Sequence, residues 1–564
     1  MKIRGIQLIS LAFLLSIVFA QNASIAAPVF LESPSITANP NPAAPLAAVL
    51  KFAANQPVQT TISVFDGDNS WQLKYGEDSD PTAGLPIIGM RPDREHNIRI
   101  YIRTRDGDAV EAPEMLKFMS PPLPSDPMEF PPIKVNVSLP EQMEPGITLM
   151  SVRRMGLRPQ GRSEGAPGGR EGGRTRPVGE NKLSTEYGLL MALDSNGNVV
   201  WYYRTDTRIS DFAVLRNGNL AYLTADHRAL VIDWFGNIVD QYYAAKRPQG
   251  AGDGMPLETL TFHHGIEELP SGNLLLLGTE LREIDGYYTS ETDPAAPRAR
   301  QKVMGDVIIE FSRNGNEVWR WNVFDHLDIN RLGYGTFNFY WQVRGFPDSR
   351  DWTHGNGLWH DDGDDSLLLN LRIQSAVVKI ERPSGKIRWI FAEPGGWAEK
   401  YQPLLFKKKG EIEWPWYQHA PSITSEGNLL LFDNGIMRAR PFKEQAPISE
   451  VYSRAVQYSI DEEGLIAQEV WSSDVAGPKS LVSFAMGDAD YLPSKGNVLI
   501  TYATGSLQVE GSRVREPHAT VREVTASTPA KTVYEVELAD PEAPVIWAIF
   551  GSKRIRPAEG LYNN

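Results

Sequence analysis

Cysteine is absent from the 564 residues. That excludes disulfides, thiolate metal sites and cysteine nucleophiles. Positive charge is outweighed: 56 Lys and Arg against 70 Asp and Glu give a formal charge of −14. This argues against a general nucleic-acid or anionic-membrane surface, while leaving room for a local cationic pocket. Beyond the first 27 residues no apolar run approaches the about 20 residues that a membrane span needs. Histidine is also sparse, with nine in the chain, so any pattern among them is informative.

Residues 1–27 read as targeting sequence. Lys2 and Arg4 precede an apolar stretch from Ile6 to Ala20, and small residues offer cleavage after Ala20 or Ala26. The mature protein is expected to be exported to the periplasm, with no membrane span.

The rest predicts an all-β protein. Residues 28–140 carry short apolar or alternating runs broken by Asp66-Gly67 and Asp106-Gly107, the pattern of a small antiparallel sandwich. Residues 141–186 read as a linker. Within it, 158–182 (RPQGRSEGAPGGREGGRTRPVGENK) has almost no apolar residue with which to build a core. From 187 to 564 one phrase repeats: strand, Gly-containing turn, strand with an aromatic. It occurs at 192–203, 231–243, 307–321, 377–391, 455–471 and 534–550. Such turns between apolar runs are strong hairpin signals. Shorter phrases (LRNGNLAYL, LPSGNLLLL, TSEGNLLLF, LPSKGNVLI) stand between them. An inner phrase plus an outer hairpin makes a four-stranded blade, so a six-bladed β-propeller is expected, its first blade completed by the C-terminal end of the chain.

Three inner phrases begin with histidine. His264 and His419 each stand eight residues ahead of a glycine, Gly272 and Gly427, and His354 precedes the run Leu367–Leu369. The start of an inner strand faces the mouth of a propeller channel, so these imidazoles from three consecutive blades should converge. Ser210 or Asp211 and Gly487 or Asp488 hold the corresponding place in other blades. His263 is expected to be structural, and His227 and His360 to face solvent. Asn356, two after His354, shares its face if the segment is extended. Arg372 opens the next hairpin and, if inward, clamps two oxygens of an anion. Three imidazoles suit a transition metal. Against a metal, no carboxylate ligand can be placed near them and a close arginine repels a cation, whereas an amide and a guanidinium beside them suit an anion with three or four oxygens, attacked by one histidine and neutralised by the others. A binding propeller without catalysis is the third reading.

The segments HHGIEELPSGN, DWTHGN, LRIQSAVVKI and YQHA resemble the bacterial arylsulfate sulfotransferase family over most of the chain. The resemblance implies an N-terminal β-sandwich, a six-bladed propeller, and sulfuryl transfer from an aryl sulfate to a phenol with no nucleotide donor and no cofactor or metal. It implies that His419 is the nucleophile, transiently sulfated in a ping-pong reaction, and that His264, His354, Asn356 and Arg372 hold the sulfuryl group, with a histidine assisting proton transfer. A homodimer through the N-terminal domain is implied as well. The chain departs from family members that carry a disulfide near the site, and in the Gly/Arg-rich segment 158–182. Tyr340, Trp341, Trp414 and Trp416 are available to wall an aromatic pocket, although core packing is the commoner job of such residues.

Overall fold

The computed structural model describes residues 27–105, 107–157, 182–447, 450–474, 481–509, 512–539 and 543–556. Residues 1–26, expected to be targeting sequence, and the segment 158–181 lie outside the described residues. Nearly all elements are strands. No helix among the described residues is long and apolar enough to cross a membrane.

Two antiparallel sheets form the N-terminal unit. One pairs Phe30–Ala38, Ala48–Ala54 and Leu85–Ile87. The other is built on Gln59–Phe65 and Glu95–Arg103. In Glu95–Arg103 the sequence EHNIRIYIR alternates between buried and solvent-facing residues, as expected of a strand with one face on a core. Ile62, Val64, Ile98, Ile100 and Ile102 fill the interior. The same apolar cluster continues into Leu190, Trp201 and Tyr222 beyond it, and Asn39 Nδ2 donates to Phe235 O at 2.9 Å. The sandwich therefore shares one core with the sheets that come next in the chain.

Six further sheets succeed one another among the described residues. Their innermost strands are β1 (Ile209–Val214), β2 (His263–Glu268), β3 (Gly355–Asp361), β4 (His419–Ile423), β5 (Asp488–Leu492) and β6 (Val545–Ile555). Each touches the next, and β6 touches β1, so the inner strands form a closed ring. The second strands are almost wholly apolar: LLLL in Leu274–Tyr287, LLL in Ser366–Leu371, LLLF in Asn428–Asp433. Sheets stacked on both faces demand this, since no face of such a strand meets water.

The ring closes with the C-terminal strand inside. β6 pairs with Ile147–Leu157, which pairs in turn with Gly188–Leu193. This closure leaves no open sheet edge at the seam. It also corrects three sequence expectations. The segment read as a linker at 141–186 contains a full propeller strand, ITLMSVRRMGL, hidden because the insertion splits it from its partner. The phrase at 534–550 is not a hairpin: Thr532–Leu538 stays in the sixth sheet while β6 crosses to the first. Lys134–Ser138, read as sandwich, pairs with Thr532–Leu538 at the outer edge of that sixth sheet. At 147–157 the strand itself was missed, whereas at 134–138 and 534–550 the strands are genuine and only their placement in the sheets differs.

Candidate active site

His264, His354 and His419 all stand at the N-terminal ends of inner strands, and therefore at one mouth of the ring. Each strand shifts register close to its histidine: between His263 and Ile266, between Gly355 and Gly357, and between His419 and Ser422. A bulge turns side chains that strict alternation would send elsewhere. Pairing places His263 opposite Leu277 and His419 opposite Phe432. By register His263 is thus the counterpart of His419, and His264 reaches the cavity because it lies within the bulge. His264, Asn356 and His419 line one cavity of about 70 Å³.

The backbone here is strained. His264, His354, Ser375, Tyr417, Ala420 and Met486 all have positive φ, between 46° and 62°. Left-handed non-glycine residues cost of order 1–3 kcal/mol each and persist where surrounding structure over-determines them. His354 at φ 50° is not extended, so the argument that Asn356 shares its face does not hold. Asn356 reaches the cavity through the bulge instead. Its Nδ2 donates to Gln418 O at 3.1 Å, and its Oδ1 accepts from Asn370 Nδ2. It therefore ties β3 to the residue before His419.

His419 is buried at 3% exposure. Its Nδ1 lies 2.6 Å from Asn434 Oδ1. Asn434 spends its own Nδ2 on Ser483 O and Met486 O, at 2.8 and 2.9 Å. The amide orientation is thereby set, and His419 carries its proton on Nδ1. Nε2 keeps a lone pair, which the Met486 N–H approaches at 3.2 Å. Burial, then the Arg372 cation, pushes this imidazole down to about 3, so it is neutral at any ordinary pH.

Arg372 is half-buried, lies over the Tyr417 ring at 5.2 Å and donates from Nη2 to Phe484 O at 3.3 Å. Its backbone N–H donates to His354 O at 3.1 Å, which holds the guanidinium to the histidine segment. His354 gives its Nδ1–H to Asp351 Oδ2 at 2.6 Å. The carboxylate also accepts from Trp341 Nε1 at 2.9 Å and Asn338 Nδ2 at 2.8 Å. An aspartate behind a histidine fixes the tautomer and stabilises the imidazolium, leaving His354 Nε2 for proton transfer. The His354 ring lies 4.9 Å from that of His264 and 4.5 Å from that of Tyr340.

Sequence reasoning missed Asp351, Asn434, the Met486 N–H and Asp306. Asp351 was detectable, standing three residues before His354 in DWTHGN. The others come from distant strands and leave no local signal. His227 and His360 do not face solvent. His227 is buried with Nδ1 3.1 Å from Phe262 O, and His360 is held between Asp362 and Asp365, at 2.9 Å from each. Of the aromatics, Tyr340 and Trp341 pack around the histidines, whereas Trp414 packs on Phe391 in a core.

Fold and site together define a β-propeller whose channel mouth holds a neutral buried imidazole, an aspartate-backed imidazole and a guanidinium. A sequence model of the arylsulfotransferase (ASST) family matches residues 134–543, and one of an arylsulfotransferase Ig-like domain matches 35–116. The chain belongs to the arylsulfotransferase family. It is 27% identical over 282 residues to the arylsulfate sulfotransferase AssT of Escherichia coli O6:H1, covering 42% of this chain and 43% of that protein. To the arylsulfate sulfotransferase AssT of Lelliottia amnigena it is 33% identical over 139 residues, covering 22% and 23%. These matches span less than half the length of either relative.

Proposed function

We propose that this protein is an aryl sulfotransferase that moves a sulfuryl group from an aryl sulfate to a phenol through a sulfated His419. The observation that carries the reading is the state of His419. Its Nδ1–H is committed to Asn434, and its Nε2 is held unprotonated by burial and by Arg372.

In the first half-reaction Nε2 attacks sulfur. The N–S bond forms, the S–O(aryl) bond breaks, and its electron pair leaves on the aryl oxygen. His354, backed by Asp351, supplies the proton to that oxygen. Nδ1 keeps its proton against the neutral Asn434 oxygen, so the sulfated ring is cationic and a good leaving group. In this reading Arg372 neutralises charge on the sulfuryl oxygens, and the Met486 N–H, which donates to His419 Nε2 in the empty site, is freed to do the same once Nε2 bonds to sulfur. In the second half-reaction a phenol gives its proton to His354, attacks sulfur and returns the N–S pair to Nε2. Tyr340 beside His264 and His354 offers an aromatic wall for the aryl group. Export to the periplasm belongs to the same proposal, on the charged, apolar and small-residue pattern of 1–27.

Brief exposure to 4-nitrophenyl sulfate, followed by peptide mass analysis, tests this. One sulfuryl group should appear on the peptide containing His419 and be lost on adding a phenol. An unmodified peptide together with full turnover by His419→Asn would refute it.

A further inference from the structure

At the start of β2 the Nδ1 atoms of His263 and His264 face each other at 3.0 Å. Two ring nitrogens at that distance share one proton between them. The other nitrogen of His263, Nε2, faces two acceptors, Gly278 O at 3.2 Å and Asp306 Oδ1 at 3.3 Å, so it carries a proton. In the neutral couple His263 Nδ1 must then accept. His264 contributes its Nδ1–H and turns a bare Nε2 toward the cavity. A bare lone pair is repelled by a sulfuryl oxygen.

One added proton removes that conflict and disturbs nothing else. His264 Nε2 becomes a donor, the Nδ1 atoms still share a proton, and His263 keeps its bonds to Gly278 and Asp306. Asp306 is buried at 1% exposure. It also accepts from the Gly355 N–H at 2.6 Å and from the Thr353 hydroxyl, so the same carboxylate that faces His263 holds the residues on both sides of His354. The remaining charged neighbours oppose a proton in the empty site. Burial first, then His354 and Arg344, hold His264 well below the ordinary imidazole range. His227, in the neighbouring sheet, is pushed down to about 4, by burial above all, and adds no charge there. Arg153 lies 4.8 Å over Phe550, the ring that packs 5.7 Å from His264. An arriving anion reverses the balance, because its charge offsets these cations.

We propose that the His263–His264 couple takes up one proton from solvent as the sulfuryl anion binds, carried on His264 Nε2 toward the anion, with the positive charge spread over the couple through the proton already shared by the facing Nδ1 atoms and with Asp306 as its counter-charge. This rests on reading the cavity as the sulfuryl site. His263 and Asp306 are thus positioning residues that convert His264 from an acceptor into a donor only when the site is filled. A site of this kind favours a tetrahedral oxyanion over a neutral phenol at the same place, and it releases the proton when the anion leaves.

Inorganic sulfate is the probe, titrated calorimetrically at pH 8 into the wild-type protein in two buffers of different ionisation enthalpy. We expect uptake of about one proton per sulfate, and an affinity that falls about tenfold per pH unit as pH rises. His263→Leu should bind sulfate more weakly and take up less than half as much, as should Asp306→Asn, so that one variant serves if the other fails to fold. No uptake by the wild type, or uptake unchanged in a folded variant, overturns the inference, the proton then belonging to His354 or His419. A protein that forms sulfated His419 without proton uptake overturns this inference alone. One that takes up the proton but never forms sulfated His419 upholds it and overturns the transferase reading.

Discussion

Acidification should spare the first half-reaction far below the pH at which a histidine nucleophile ordinarily fails. A histidine titrating at the usual 6.5 is only about 3% neutral at pH 5, and its rate should fall about 100-fold by pH 4.5. His419 is pushed down to about 3 by burial first and by Arg372 second, which leaves about 99% neutral at pH 5. The sign is that of a depressed cationic acid: the reactive form persists above the folded value and is lost only as pH falls through it. Release of 4-nitrophenol in a single turnover at saturating donor, quenched into alkali, measures the step between pH 4.5 and 8. We expect less than about twofold variation toward the acid end. Arg372→Met removes the second cause of the depression and should shift the acid limb upward as well as slow the step. A wild-type rate that drops tenfold per unit below pH 6.5 would refute the assignment of His419 as a buried, cation-flanked nucleophile.

Other perturbations separate the parts of the site. Asp351→Asn removes the carboxylate that orients His354 and should lower turnover by about 10²–10⁴, with the fold intact by circular dichroism. Asn434→Asp places an anion 2.6 Å from His419 Nδ1 and should raise the acid limb by about 1–3 units, read in the same single-turnover profile. In Gly357→Ala the new methyl would lie 2.6 Å from Pro421 Cδ and 3.2 Å from the Ala420 nitrogen. The resulting push on the His419 strand should cost about 1–3 kcal/mol of stability in urea denaturation and reduce transfer. Deleting 545–556 removes the inner strand of the first sheet, so it should yield aggregated or protease-sensitive protein, not a five-sheet ring.

The grouping of imidazoles was legible because each stands ahead of an apolar second strand, announced by Gly-Asn turns after His264 and His419 and by the run Leu367–Leu369 after His354. Arg372 and Asn356 were legible through their spacing from His354. Partners that come from other sheets were not. Asn434 and Met486 reach His419 across 15 and 67 residues, and Asp306 reaches Gly355 across 49. The choice between His263 and His264 depended on a bulge, since a register shift decides which face a residue occupies without changing its neighbours in the chain. The phrase at 534–550 misled for a related reason: turn residues between two apolar runs announce that the chain bends, not that the two strands pair.

Sequence alone determined that this chain would be a β-protein of stacked four-strand units with histidines at recurring places, because alternation, turn chemistry and apolar second strands are properties of a few adjacent residues. Tertiary structure decided how the ring closes, which nitrogen of each imidazole bears its proton, and that His419 stays neutral. Those outcomes depend on burial and on charges delivered from strands far away in the chain, and such neighbours are set only by the completed fold.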